Sequence, residues 1–372
     1  MSDRIGIVVV GYGYWGPNIV RNVMESPDLE LVALCERDPK RTERFAARFP
    51  GVPTTDDYSA LLVDPRVDAV SIATPPRTHH ALAKQALEAG RHVLVEKPLA
   101  TRAAEADELV ELADASELVL MPGHTFLYSP AVNKIRQLID TGELGDIYFV
   151  TSSRMNLGLY QPDGVVNDLA PHDLSILLYW LDQRVITVTA SGRSIFQPHV
   201  AETAFLALTF ESGTTANIQV SWLAPSKVRS MVVVGSNCMV QYDDTASDEA
   251  IRVYDRGLDV DVQSPLDFGA HRLTMRSGDM IVPRLEPVEP LGQELSDFAQ
   301  AIRTGRRPRS HARLGLDVVR ILEAAHASLA ADGEPVMLGD AEPVGPARPA
   351  AVPRDMLVDS HVSVLRPRRF SR

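Results

Sequence analysis

The chain has 372 residues, 45% hydrophobic and 23% charged, enough to bury more than one core in an ordinary globular protein. Its 37 Lys and Arg against 49 Asp and Glu give a formal charge of −12, which excludes a general nucleic-acid surface but not an anionic cofactor held by local basic groups and helix N-termini. The two cysteines, Cys35 and Cys238, supply neither a disulfide framework nor a thiolate-rich zinc site.

The first 122 residues alternate short β-branched runs with helical patterns. Ile5 to Val10, Leu29 to Cys35, Val67 to Ala73, His92 to Glu96 and Leu118 to Met121 read as buried parallel strands. Asp38-Pro39 reads as an N-cap followed by a first-turn proline, and Gly90 as a left-handed helix terminator. Such alternation predicts an α/β, doubly wound parallel sheet over residues 1–125.

Beyond Pro122 the pattern changes. A helix is expected over Pro130 to Asp140, and a second, apolar one over about Pro171 to Leu181. Longer alternating strands follow at Ile147 to Arg154, Val185 to Ser194, Thr203 to Phe210, Thr215 to Trp222, Ser230 to Val234 and Ile251 to Tyr254. Helices near Leu291 to Arg303 and Leu314 to Ala330 close an α+β unit over 126–338, with a large open, mainly antiparallel sheet covered on one face. Pairing of the other face in a homodimer or homotetramer is the expectation. Residues 339–372 are Pro-rich, then basic, and read as a mobile tail with a docking segment near Met356 to Val364. No signal-peptide pattern opens the chain and no apolar run reaches membrane-spanning length, so a cytoplasmic enzyme without membrane contact is expected.

Gly11, Gly13 and Gly16 in "GYGYWG" follow the first strand and open a helix, in the spacing of a dinucleotide fingerprint. Glu36 lies twenty residues past Gly16 at the end of the second strand, where a carboxylate accepts from the ribose diol and repels a 2′-phosphate. NAD is therefore expected over NADP, although the guanidinium of Arg37 beside it is compatible with NADP. Tyr14 and Trp15 in the loop, Ala73, Thr74 and Pro75 after the third strand, and His79 and Glu96 complete the expected cofactor contacts. A lone fingerprint of this kind is weak; the first strand before it and the acid after it give it weight.

The strand ending in Glu96-Lys97-Pro98 puts an ammonium group at the sheet edge where ligands bind. Hydride transfer from an alcohol needs a base for the hydroxyl proton, and Lys97 suits that task where burial lowers its pKa. In "NDLAPHDLSILLYWL", Asp168 and His172 stand four apart; with Pro171 in the first helical turn the two form a pair that orients the imidazole, and Asp173 serves the helix N-terminus. Each residue has an ordinary alternative: a solvated strand-end lysine, a capping Asp, a structural His. No tyrosine is followed four residues later by lysine, which excludes the short-chain dehydrogenase mechanism, and the adjacent His79-His80 make a poor metal pair, so no metal is expected.

The motifs "GYGYWGPN", "ATPPRTHHALAKQALEAGRHVLVEKPLA" and "NDLAPHDLSILLYWL" resemble those of the Gfo/Idh/MocA oxidoreductases, over nearly everything up to residue 338. The resemblance implies a Rossmann domain followed by an α/β domain whose open sheet forms oligomers. It implies Lys97 as the catalytic lysine before a cis proline, with Asp168 and His172 beside the reacting hydroxyl. "SSRMNLGLYQPD" and "SWLAPSKVRS" are most similar to members that oxidise the 3-hydroxyl, or reduce the 3-ketone, of nucleotide-linked sugars. Arg154, Asn156, Lys227 and Arg229 are then expected to hold substrate phosphates or hydroxyls. Asn167 stands where the resemblance implies a bulkier residue. An inositol or cyclitol dehydrogenase, a glycosidase using NAD as a transient redox aid, and a non-catalytic NAD-binding regulator are the alternatives.

Overall fold

The alternating first third of the chain builds one parallel sheet. The structure, a computed structural model, describes residues 4–339 apart from 159, 160, 162, 247, 263–270 and 276; the expected tail lies almost wholly outside the described residues. Strands β1 (Ile5–Val10), β2 (Leu29–Cys35), β3 (Thr54–Thr55), β4 (Ala69–Ile72), β5 (His92–Glu96) and β6 (Leu120–Gly123) stand in the order β3-β2-β1-β4-β5-β6. The order reverses between β1 and β4, so their carboxyl ends open a crevice there. Every residue of β1 is buried, because helices cover both faces. Ile7 and Val9 enter one apolar core while Val8 and Val10 enter the other, the period-two alternation of a strand.

Helices α1 (Gly16–Glu25), α2 (Pro39–Arg48), α3 (Tyr58–Leu62), α4 (His79–Glu88) and α5 (Ala103–Ala115) flank this sheet. Asp38 caps α2 by accepting from the Lys40 amide at 2.9 Å, with Pro39 in the first turn as expected. Gly90, at φ +73°, ends α4 as its position suggested.

After α6 (Pro130–Asp140) come β7 (Ile147–Leu157), α7 (Gly164–Leu181), β8 (Val185–Arg193), β9 (Thr203–Phe210), β10 (Thr215–Ser221), β11 (Leu223–Gly235), β12 (Met239–Asp243) and β13 (Ile251–Tyr254). A small hairpin follows, β14 (Leu258–Val262) with β15 (His271–Met275), then β16 (Met280–Ile281), helices α8 (Pro290–Thr304) and α9 (Ala312–Ala330), and β17 (Val336–Met337). Nine strands form a mixed sheet in the order β16-β13-β12-β11-β7-β10-β9-β8-β17, with the β7–β10 pair parallel and the other pairs antiparallel where their register is defined. Strand β12 escapes a sequence reading because its alternation is carried by only two buried residues, Val240 and Tyr242.

One expectation about α7 fails. The helix starts at Gly164, so Pro171 lies in its interior and not in its first turn. Val165, Val166, Leu169 and Ala170 are all buried ahead of the proline. Their burial outweighs the one intrahelical bond to the Asn167 carbonyl that a ring nitrogen cannot donate. Helix α9 then packs against α5 on one side and α7 and β8 on the other, tying the two sheets together.

Candidate active site

The glycine loop shows why each glycine stands where it does. Gly11 has φ +96°, and a Cβ on it would lie 2.7 Å from the Ala73 carbonyl oxygen. A Cβ on Gly16 would lie 2.3 Å from the Gly11 carbonyl oxygen, so only glycine lets α1 start this close to the strand. Above Gly13 the space is open, the nearest atom being Arg41 Nη1 at 3.6 Å. That opening, over the N-terminal end of α1, is where a pyrophosphate fits. At the end of β2 the Glu36 carboxylate accepts from the Tyr12 amide at 2.7 Å and from the Arg37 and Asp38 amides at 2.8 and 2.9 Å, which fixes it beside the loop. A cleft of about 870 Å³ runs along these residues and on past Ala73, Thr74 and Pro75 to Glu96 and Lys97. Tyr14, Trp15 and Arg37 also line it. Arg41, missed in the sequence, stands in the first turn of α2 at 3.7 Å from the Glu36 carboxylate, beside Gly13.

His79 is a correction. It is 1% exposed, and its two ring nitrogens lie 2.8 Å from the carbonyl oxygens of Pro98 and Thr74. The buried ring therefore ties the loop after β5 to the loop after β4 and does not line the cleft.

Lys97 follows β5 directly, at a cis peptide bond to Pro98. Its Nζ donates to the Asp168 carbonyl oxygen at 2.8 Å and lies 3.8 Å from Asp168 Oδ1. Burial lowers its pKa; the Asp168 and Glu96 charges oppose that, and the Arg154 charge reinforces it. The amine stands where two openings meet, since Lys97 lines both the long cleft and a side pocket of about 330 Å³. That pocket is bounded by Asn167 and Asp168 of α7 and by Glu323 and His326 of α9. His326 meets the Asn167 side-chain oxygen at 3.0 Å, so the polar residue at 167 serves as a bridge between helices.

Asp168 and His172 lie one turn apart on α7, yet the expected Asp–His bond is not formed. Asp168 Oδ2 accepts from the Trp222 indole at 2.9 Å, and its other oxygen faces Lys97. His172 turns its ring edge to Phe126, with centroids 5.0 Å apart, and its Nδ1 has no hydrogen-bond partner among the described residues. Burial, followed by the charges of Lys97, Arg154 and Arg229, holds its pKa well below the usual imidazole value. It is a neutral imidazole beside a neighbouring amine.

Asp173 is a second correction: it does not serve a helix terminus. It is 1% exposed and takes Arg154 Nε and Nη2 at 3.0 and 2.8 Å in a two-toothed ion pair. The reason is the register of α7, whose start seven residues before Pro171 turns Asp173 inward onto β7. Arg154 is consequently sunk beneath the sheet surface at 3% exposure. Its guanidinium covers Phe126 at 4.5 Å from the ring centroid, and that of Arg229, paired opposite Arg154 on β11, reaches the same ring at 5.5 Å. Arg229 is itself held by Asp244 at 2.9 Å. Asn156 is half-buried two residues along β7 on the face of Arg154, while Lys227 is exposed. None of these four lines the cleft or the side pocket. Phe126 and Trp222, the two side chains that organise this half of the site, carried no signal in the sequence.

Two family descriptions match the chain: the Gfo/Idh/MocA oxidoreductase family with an NAD-binding Rossmann fold, over residues 5–124, and the Gfo/Idh/MocA C-terminal domain, over residues 132–241. The chain belongs to this family. It is 27% identical over 355 residues to the uncharacterized oxidoreductase YrbE of Bacillus subtilis, covering 92% of this chain and 99% of that protein. It is 31% identical over 234 residues to a UDP-N-acetylglucosamine 3-dehydrogenase of Acidithiobacillus ferrooxidans, covering 61% and 70% of the two chains. The solved structure of that dehydrogenase superposes with a TM-score of 0.75 at 25% identity, over 88% of this chain and 99% of the other. GenD2 from gentamicin A biosynthesis, crystallised in complex with NAD, superposes with a TM-score of 0.75 at 26% identity, over 91% and 97%. The protein is an NAD-binding oxidoreductase that acts on hydroxyl groups. No helix among the described residues is long and apolar enough to cross a membrane.

Proposed function

We propose that the protein interconverts a ring hydroxyl and a ketone at C3 of a nucleotide-linked sugar. One observation carries this reading: the Lys97 amine, its pKa lowered by burial, is fixed on the Asp168 carbonyl where the dinucleotide cleft meets the side pocket. Held along the glycine loop and Glu36, the cofactor would supply the hydride acceptor as NAD⁺ in oxidation and the hydride donor as NADH in reduction. In oxidation the neutral Lys97 amine takes the hydroxyl proton; in reduction the ammonium returns one. Asp168 holds that amine in place through its backbone oxygen and balances its charge through Oδ1. His172 offers a neutral imidazole to the substrate oxygen, and Phe126 with Arg154 fixes the ring.

The sugar class and the ring position rest on the 3-dehydrogenase relative and its structural likeness. The test is NADH absorbance with a panel of nucleotide sugars, inositols and free aldoses, followed by deuterium at C3 of the best substrate. Transfer of that deuterium into the reduced cofactor is expected. Retention of deuterium in the product, or preference for inositols, would overturn the C3 nucleotide-sugar reading. The outer face of the nine-stranded sheet exposes Phe149 and Phe205, and self-association through it is part of the same reading; a monomer by light scattering would remove it.

A further inference from the structure

Next to Lys97 lies a group of titratable side chains that hydride transfer does not by itself require. Glu96, which ends β5, is in register with Gly123 of β6. A Cβ on Gly123 would lie 3.2 Å from the carboxyl carbon and from both oxygens of Glu96, so the acid lies flat against that glycine. His124 follows, 1% exposed, with no hydrogen-bond partner on either ring nitrogen among the described residues. Thr125 comes next and donates its hydroxyl to Glu294 Oε2 at 2.8 Å. Glu294, on α8, is also 1% exposed, and its Oε1 has no partner among the described residues. One tripeptide thus links the sequestered carboxyl group of Glu294 to the half-buried one of Glu96, which lines the cofactor cleft.

The surrounding charges do not neutralise both acids. Lys97 beside Glu96 is the near cation, and Asp168 shares it. Asp297, further along α8, adds negative charge near Glu294. His124 is neutral, burial having pushed it down to about 3, and His172 of α7 and His311 after α8 face it or Lys97. Burial pushes the Glu96 carboxyl up to about 7, and burial together with the Glu96 charge raises Glu294 well above the usual range. With one shared cation, Glu96 ionises near neutrality and Glu294 keeps its proton.

We propose that Glu96 and Glu294 form a proton-storing pair that distinguishes the two redox states of the cofactor. The oxidised nicotinamide ring carries a positive charge, and binding it in the cleft expels a proton from the pair; the uncharged reduced ring leaves that proton in place. During alcohol oxidation the hydroxyl O–H bond breaks to form an N–H bond on Lys97. That N–H bond then breaks to form an O–H bond on the emptied Glu96 carboxylate. The inference rests on the NAD assignment.

The test titrates the full-length protein with NAD⁺ and, separately, with NADH, in weakly buffered solution containing a pH indicator. Up to one proton released per NAD⁺ and none per NADH is expected. Affinity for NAD⁺ should rise with pH, by up to about tenfold per unit, below about pH 7 and level off above it, while that for NADH stays flat. Glu96→Gln should abolish the release, with circular dichroism and the unfolding midpoint as the check on folding. Glu294→Gln should leave the release in place, because Glu294 keeps its proton while Glu96 ionises. Equal release with both cofactor forms, release surviving in Glu96→Gln, or release lost in Glu294→Gln would overturn the proposal. The difference between the two forms in the unaltered protein decides the matter even if a variant fails to fold. Binding of neither form would sink the cofactor assignment and this inference with it.

Discussion

The two halves of the site are built from different materials. The cofactor half is mostly backbone: a glycine turn, an open helix terminus, and a carboxylate fixed by three amide groups. The substrate half is side chain against side chain: an amine on a carbonyl, an indole on an acid, and an imidazole and two guanidinium groups around one phenyl ring. A backbone site fails when an added atom blocks it. A side-chain site fails when a partner is left behind alone. The two halves should therefore break in recognisably different ways.

The largest effect is expected at Lys97. Lys97→Met keeps the bulk and removes the amine, and kcat should fall by about 10²- to 10⁴-fold, the range for loss of a general acid–base group. NADH binding, followed by fluorescence, should change little, because the loop and Glu36 are untouched. Normal turnover would remove Lys97 from the chemistry. In the unaltered enzyme the oxidation rate should rise with pH as the amine loses its proton. Because burial lowers the Lys97 pKa, the plateau should be reached well below the ordinary lysine value of 10.5. A rise complete only near that value would contradict the burial of the amine.

Next comes the pair beneath the sheet. Asp173→Ala leaves the Arg154 guanidinium charged and sequestered, at a cost of about 3–5 kcal/mol of stability. Denaturant titration should show this, together with a loss of kcat as Phe126 and His172 lose their support. Replacing both members, Arg154→Leu with Asp173→Leu, should recover much of the stability and little of the activity. If the single change costs under about 1 kcal/mol, the pair is solvated and its role in fixing the ring is wrong.

The two halves also differ in how much of them could be read from residues alone. Gly11, Gly13, Gly16 and Glu36 were legible because local conformation requires them at fixed spacing, and a backbone site repeats that spacing whatever surrounds it. The strand leading to Lys97 was legible for the same reason. Asp173 was misread because its pairing with Arg154 depends on where α7 begins, and an internal proline concealed that start. His79 was misread because the fold buries its ring between the Thr74 and Pro98 carbonyl groups. Phe126, Trp222 and Glu294 acquire their roles only through contacts the fold makes, and no spacing rule announces such contacts.

The glycine loop sharpens the contrast through two changes of one methyl group each. Gly16→Ala places a Cβ 2.3 Å from a carbonyl oxygen and must shift the start of α1, so both stability and NADH affinity should fall. At Gly13 the added methyl group meets only the end of the Arg41 side chain at 3.6 Å. Gly13→Ala should therefore unfold like the unaltered protein yet bind NADH about tenfold or more weakly, since the methyl group occupies cofactor space. Equal stability losses in the two variants would mean that the space over Gly13 is not reserved for a ligand.

The smallest change is expected at Glu36, and it concerns preference more than strength. The carboxylate is already oriented by the amides of Tyr12, Arg37 and Asp38, so in Glu36→Gln the side-chain amide also clashes with their hydrogens; Glu36→Ala is the cleaner probe. Removing the acid takes away an acceptor for the ribose diol and the repulsion of a 2′-phosphate. Arg37 and Arg41 remain close by to meet that phosphate. The ratio of NAD to NADP efficiency should fall by about 10- to 100-fold, the size of a charge-assisted hydrogen bond. Because Arg41 stands 3.7 Å from the Glu36 carboxylate, its release should add to the gain for NADP, and adding Arg41→Ala should cancel that part. An unchanged ratio in Glu36→Ala would place the ribose elsewhere and leave Glu36 as a brace for the glycine loop alone.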